Sequence, residues 1–300
     1  MADIQHHFGS LAPDSFSFPF EESRAGQPES PYRKIHGKVS RYLARHVATK
    51  KLAMRNAKPI ISFTFDDVPA SACEAGVPII ERCGIRGTFY IAGAGFGRNS
   101  PVGMLATLDQ LRTIWQRGHE IGCQTHYHSA VSQLTRDQLQ REFTDNQAVL
   151  KKIDADLPVR NFAYPYGDLS FGARRQLEAL FDCCRSVDNG INSGVANLGA
   201  LKSYPLENAS LDRSKIAALI AETVQINGWL IFFSHDVSDR PSRYGIDPGL
   251  LDWAVQAAKR SGAVVLPIAD SLKYAAGSVI DARADDATPG PGPGPQPGTV

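Results

Sequence analysis

Two adjacent carboxylates, Asp66 and Asp67, close the apolar run PIISFTF over 59–65. Paired carboxylates at a buried strand end repel each other and are costly to desolvate, so they call for a compensating cation. One carboxylate holding a divalent ion while its neighbour takes a proton from water is the chemistry this allows. A helix N-cap is the plainer alternative. The second group is HEIGCQTHYH over 119–128. His126 and His128 stand two apart, which on an extended backbone puts both imidazoles on one face. Imidazole pairs suit zinc or a similar divalent ion, whereas two surface histidines are the bland reading. In NFAYPYG (161–167), Pro165 fixes φ and Gly167 permits a sharp turn. Such a turn can aim a backbone N–H at a developing oxyanion. In FFSHD (232–236), His235 ends another apolar run beside Asp236, a setting for a general acid. Tyr127, Tyr164 and Tyr166 offer flat aromatic faces to a ligand, or else pack the mouth of the fold.

All four groups need strand ends to hold them. The apolar runs Pro59–Phe65, Gly87–Ala92, His119–Gln124, Arg160–Tyr164, Trp229–Ser234 and Ala263–Ile268 read as strands. Helical patterns fall between them over Ala70–Cys83, Thr107–Arg117, Thr135–Ile153, Phe171–Leu180, Leu211–Ile226 and Pro248–Ser261. Thr107 with Gln110 reads as a capping box, and Thr135 as an oxygen cap. Strands alternating with helices predict βα units around a parallel sheet or barrel, with the chemistry at the C-terminal strand ends.

The remainder of the chain bounds the alternatives. It has 300 residues, 43% hydrophobic and 21% charged, as expected of a globular protein. A net charge of +1 gives no reason to expect nucleic acid as a partner. No apolar run approaches the ~20 residues of a transmembrane helix. Residues 1–30 read as a flexible leader lacking the pattern of a signal peptide. Residues 31–58 hold nine Lys or Arg and no acid, leaving −8 on the rest. Val39, Tyr42, Leu43, His46 and Val47 give that segment a helical stripe. It reads as a basic amphipathic helix with weak membrane-surface contact, or as one packed on the barrel. Residues 59–275 form the barrel domain. Residues 283–300 read as a disordered tail; nine of the last twelve residues are Pro or Gly. Five cysteines, without a CxxC, read as reduced thiols in the cytoplasm.

Taken in order, the motifs TFDD (64–67), GTFY (87–90), GCQTHYH (122–128), FAYPYG (162–167) and the stretch around Ser234-His235-Asp236 resemble those of the polysaccharide deacetylases with a NodB-homology domain. The resemblance runs from about Pro59 to Ile268. It implies an α/β fold, a distorted seven-stranded (β/α) barrel. It also implies metal-dependent removal of acetyl groups, N-acetyl above all, from a carbohydrate such as an N-acetylglucosamine oligomer. Asp66 matches the catalytic base, Asp67 the carboxylate ligand and His128 a histidine ligand of a divalent metal, zinc by expectation. Tyr166 matches the residue whose backbone N–H holds the oxyanion, and His235 the general acid. Asp188, in SVDNG, falls where an acid tunes that histidine, and Pro165 and Tyr164 fall on the substrate side. Two departures stand out. Gln124 occupies the position of the family's first metal histidine, so that affinity drops, His126 substitutes, or water fills the place. Ala163 stands where many members carry an arginine paired with the base, so Asp66 is expected to be more basic unless another cation compensates. A non-catalytic glycan-binding domain and an amide or ureide hydrolase on the same scaffold are the rival readings.

Overall fold

The computed structural model describes residue 40 and residues 42–278. The leader 1–30, the tail 283–300 and most of the basic stretch before residue 42 lie outside the described residues. The fold is mixed α/β, a curled half-barrel of parallel strands. In chain order the strands are β1 (Lys51–Ala53), β2 (Ile60–Asp66), β3 (Thr88–Ile91), β4 (Asn99–Ser100), β5 (Gly103–Met104), β6 (Glu120–Cys123), β7 (Asn161–Ala163), β8 (Cys183–Arg185), β9 (Val195–Asn197), β10 (Tyr204–Pro205), β11 (Trp229–Ser234) and β12 (Val264–Val265). Seven of them run in the spatial order β10-β11-β2-β3-β6-β7-β8, and β12 pairs with the start of β2. Every pairing in this sheet is parallel.

Strand β2 shows why the sheet forms here. All seven of its residues are buried, because it is central and covered on both faces, as parallel strands generally are. Phe63 stacks on Phe232 of β11, and Phe65 on Phe89 of β3. Each buried Phe contributes about 1.5–3 kcal/mol of transfer free energy. The helices that cover the sheet include α1 (42–46), α2 (Val77–Arg82), α3 (Leu108–Gln116), α4 (Arg136–Leu150), α5 (Phe171–Leu180), α6 (Arg213–Gln225), α7 (Pro248–Arg260) and α8 (Ile268–Ala275). Thr107 and Thr135 each make the reciprocal capping box with the glutamine three residues on, which fixes where α3 and α4 begin.

The structure differs from the sequence reading at three places. The expected last strand over Ala263–Ile268 is only the two residues of β12, since Pro267 starts α8. The short strands β8, β9 and β10 fall in a stretch whose apolar runs are too brief to show periodicity. The helical stripe of the basic segment is rotated from the expected one. Ala44 is fully buried, whereas Tyr42 and Val47 are exposed. Buried Arg174 of α5 sets this orientation by donating to the carbonyls of Ala44 and Val47. Among the described residues no helix is long and apolar enough to cross a membrane.

Candidate active site

The C-terminal ends of β2, β6, β7, β8 and β11 surround a cleft of about 360 Å³, lined by Asp66, Asp67, Gln124, His128, Tyr166 and His235 among others. Asp66 is the last residue of β2 and only 4% exposed. Its Oδ2 accepts from Arg185 Nη2 at 2.5 Å. Arg185 ends β8, wholly buried, with its guanidinium 5.2 Å from the Tyr90 ring and 4.8 Å from the Phe233 ring. Two aromatic faces and one carboxylate compensate the desolvation of that charge. In the β7–β8 register Ala163 is the direct partner of Arg185. The arginine missing at 163 is therefore supplied from the neighbouring strand, and Asp66 does have a counter-charge. Asp66 Oδ1 is buried and makes no hydrogen bond, which leaves it available to a water molecule.

Asp67 follows with φ 58, and Val68 with φ 49. These left-handed residues turn the chain off the sheet and put the second carboxylate over the cleft. Asp67 Oδ1 lies 3.1 Å from His128 Nε2, and its Oδ2 lies 4.0 Å from His235 Nε2. Burial pushes its carboxyl up to about 6; His235 opposes this, Asp66 adds to it and Arg185 opposes it. The Asp67 N–H donates to Gln124 Oε1 at 3.1 Å. Gln124, 2% exposed, reaches His128 Nε2 with its Nε2 at 3.3 Å.

The segment after β6 is not extended. Thr125 has φ 61 and His128 has φ 54, both left-handed. The two-residue alternation expected for His126 and His128 is therefore broken. His128 faces the cleft, while His126 does not line it. The His126 ring stacks edge-on against Tyr127, and burial lowers its pKa against the opposing fields of Glu142 and Asp145. His126 thus does not replace the histidine missing at 124. Glu142 of α4 holds this loop in place. Its Oε2 accepts from the N–H groups of His126 and Tyr127 at 2.8 and 2.9 Å, and its Oε1 from the Ser129 hydroxyl at 2.7 Å.

The third motif forms the turn Pro165–Gly167, with Tyr166 at φ 57 and ψ 12. The half-exposed Tyr166 ring stands edge-on to His128 at 4.4 Å. Gly167 (φ +62) has no room for a side chain, as an added Cβ would sit 2.1 Å from Val187. Pro165 is buried in the wall. Tyr164 is buried too, with its hydroxyl donating to the Gly199 carbonyl at 2.8 Å. It belongs to the core and offers no sugar-stacking face. His235 Nδ1 faces the Tyr244 carbonyl at 3.3 Å. A carbonyl only accepts, so Nδ1 carries the hydrogen and Nε2 points toward Asp67. Asp236 turns away and accepts from the N–H and hydroxyl of Ser242. Asp188 does not line the cleft with His235; it pairs with Arg45 at 2.9 Å.

Sequence reasoning missed Arg185 and Glu207. Glu207 lines the cleft, and its carboxyl is raised chiefly by burial, with the Ser210 hydroxyl opposing and Asp66 adding. The signal for Arg185 was a lone arginine inside the apolar stretch FDCCRSV; nothing in the sequence marks Glu207.

A catalytic zinc takes three protein ligands and keeps one position open. Among the described residues, no group of three or more His, Cys, Asp or Glu is arranged to hold a metal ion. Asp67 and His128 are two donors, and the amide that stands third already spends both its ends on them. The donor set does not fit such an ion.

Residues 53–180, under half of the chain, match the family model described as polysaccharide deacetylase. The match stops before β8 and β11, so Arg185 and His235 rest on geometry. No curated protein matches the chain. A chitin deacetylase from the fungal pathogen Colletotrichum lindemuthianum shares the fold with a TM-score of 0.53 at 17% identity, covering 72% of this chain and 89% of that one. PdaA of Bacillus subtilis, a family 4 carbohydrate esterase, aligns with a TM-score of 0.51 at 15% identity over 78% of this chain and 88% of its own. The Xyl-CE4 domain of a multidomain xylanase from the hindgut metagenome of Trinervitermes trinervoides aligns with a TM-score of 0.50 at 17% identity, over 72% and 90%.

Proposed function

We propose that this protein hydrolyses the acetyl group, N-acetyl above all, of a carbohydrate such as an N-acetylglucosamine oligomer. The observation that carries the reading is the buried Asp66–Arg185 pair beside Asp67, His128 and His235 at the ends of parallel strands.

Asp66 Oδ1 takes a proton from the attacking water, while Arg185 holds the other oxygen in place. The water oxygen bonds to the acetyl carbon, and the carbonyl becomes an oxyanion facing the Tyr166 N–H. His235 Nε2 gives a proton to the nitrogen as the carbon–nitrogen bond breaks. Asp67 Oδ2 lies 4.0 Å from His235 Nε2. The products are acetate and a free amine. The exposed ring of Tyr166 gives the sugar a face to rest on.

The reading is tested by offering N-acetylglucosamine oligomers of increasing length and assaying acetate. Release by the parent protein, lost in His235→Ala for the amide but retained for an aryl acetate with a good leaving group, is the expected pattern. Acetate from the aryl ester alone, at the same rate in both proteins, would contradict it.

A further inference from the structure

We infer that Gln124 closes the cation position of this cleft, so that Asp67, Gln124 and His128 form a hydrogen-bonded cluster that does not retain a transition metal, and that Gln124→His alone reopens the position. Gln124 is 2% exposed, so its amide must find partners inside the protein. Its oxygen accepts from the Asp67 N–H at 3.1 Å. That bond fixes which way the amide points and leaves the oxygen one neutral lone pair, a weaker donor to an ion than an imidazole nitrogen. Its nitrogen faces His128 Nε2 at 3.3 Å. An amide nitrogen only donates, so it sets an N–H against the same imidazole nitrogen that Asp67 Oδ1 approaches at 3.1 Å, the nitrogen through which His128 would bind a metal. The amide thus ties the Asp67 backbone to His128 and sets a donor hydrogen where an imidazole lone pair would stand.

Among the described residues no neighbour, Glu207 of the cleft wall included, completes a group of three donors. His126 lies outside the cleft because Thr125 takes a left-handed conformation. His235 approaches the other oxygen of Asp67 at 4.0 Å, and its Nδ1 is committed to the Tyr244 carbonyl. Asp66 is held by Arg185. The cluster also does the mechanical work of a bound ion. Gln124, at the end of β6, ties the turn after β2 to the loop that presents His128. Gln124→Ala therefore breaks a cross-link between two strand ends and lowers the melting temperature, which a residue merely vacating a metal position would not do.

The test is a zinc titration of the full-length protein, stripped with chelator, against a chromophoric competitor, together with cobalt(II) absorption spectra. The parent protein is expected to bind zinc too weakly to survive dialysis and to give no tetrahedral cobalt bands. Gln124→His is expected to bind one ion about 100-fold more tightly or better, more than outer-shell changes usually bring, and to show the bands. Asp67→Ala in that background should abolish both. A parent protein that keeps one zinc per chain, released by Asp67→Ala, overturns the inference. So does a folded Gln124→His that gains no affinity. If Gln124→His does not fold, Gln124→Glu supplies a charged oxygen donor at the same place and is judged by the same two results. A further arm rests on the acetyl-hydrolase reading. Acetate release by the parent protein should survive chelator, and release lost to chelator and restored by zinc contradicts the inference. No release under either condition counts against the hydrolase reading, and the titration alone then decides the metal question.

Discussion

Arg185 and Asp66 form a buried ion pair in which each is the other's counter-charge. Removing one partner of a buried ion pair leaves an uncompensated charge, at a cost of about 3–5 kcal/mol. Arg185→Ala is therefore expected to lower the unfolding free energy by that order and to suppress turnover. Because Ala163 faces Arg185 across the β7–β8 register, the guanidinium can be moved to the other strand. Ala163→Arg in the Arg185→Ala background should recover part of both losses, measured by denaturant melts and acetate release. No recovery in either would mean that position 185 serves something other than the charge on Asp66. From the sequence, Asp66, Asp67, His128 and His235 are legible, because each follows an apolar run that must be a strand. Arg185 is not, because β8 is three residues long and leaves no periodicity to reveal that its arginine points inward.

The elements around the site do two jobs that their residues show separately. Helix α4 contributes Glu142, whose carboxylate takes two loop N–H groups and a hydroxyl. Glu142→Gln replaces one acceptor oxygen with a donor, which faces hydrogen-bond donors of the loop. Hydrogen bonds to a charged group are each worth about 1.5–3 kcal/mol. The variant should lower kcat with little change in KM for a short oligomer, since His128 loses its seat while the sugar face at Tyr166 remains. An unchanged kcat would show that the loop holds its shape without α4. The loop itself was misread as extended. Non-glycine residues with positive φ, such as Thr125 and His128, carry no mark in a sequence, so the alternation that placed His126 beside His128 failed there.

His119, the residue before β6, supplies a pH-dependent component of stability. Its Nδ1 accepts from the Gly87 N–H and its Nε2 faces Glu81, both at 3.1 Å. Burial is the main cause that lowers its pKa from 6.5 to about 4, against the Glu81 hydrogen bond and charge. The unfolded chain binds this proton more readily than the folded one. The contribution is therefore fully present above pH 6.5 and is lost as pH falls from there through about 4. It amounts to at most about 3 kcal/mol. Glu120 opposes it, since burial raises its carboxyl to about 7 and favours the fold at lower pH. His119→Gln should flatten the acid limb of a stability-against-pH curve measured by urea unfolding. An acid limb with the same slope in both proteins would remove His119 as its cause.

At the scale of the whole molecule, the fold was legible because parallel strands must be buried on both faces. Runs such as IISFTF and WLIFF cannot be edge strands, and their alternation with capped helices leaves a βα half-barrel as the simplest arrangement. That topology gathers the ends of β2, β6, β7, β8 and β11 at one mouth, although their residues are up to 169 positions apart, from Asp66 to His235. What the topology does not encode is the short-range adjustment at that mouth: the left-handed turn at Asp67, the displaced arginine and the amide at 124. These set how the site works once the fold has set where it is. The central claim, that this mouth hydrolyses an acetylated sugar through Asp66, is tested most directly by following free amine and acetate together from an N-acetylglucosamine oligomer. The parent protein should release both in equal amounts, and Asp66→Asn should lose about 10²–10⁴-fold in rate while retaining its fold. Equal rates in the two proteins, or no amine from any oligomer offered, would contradict the account.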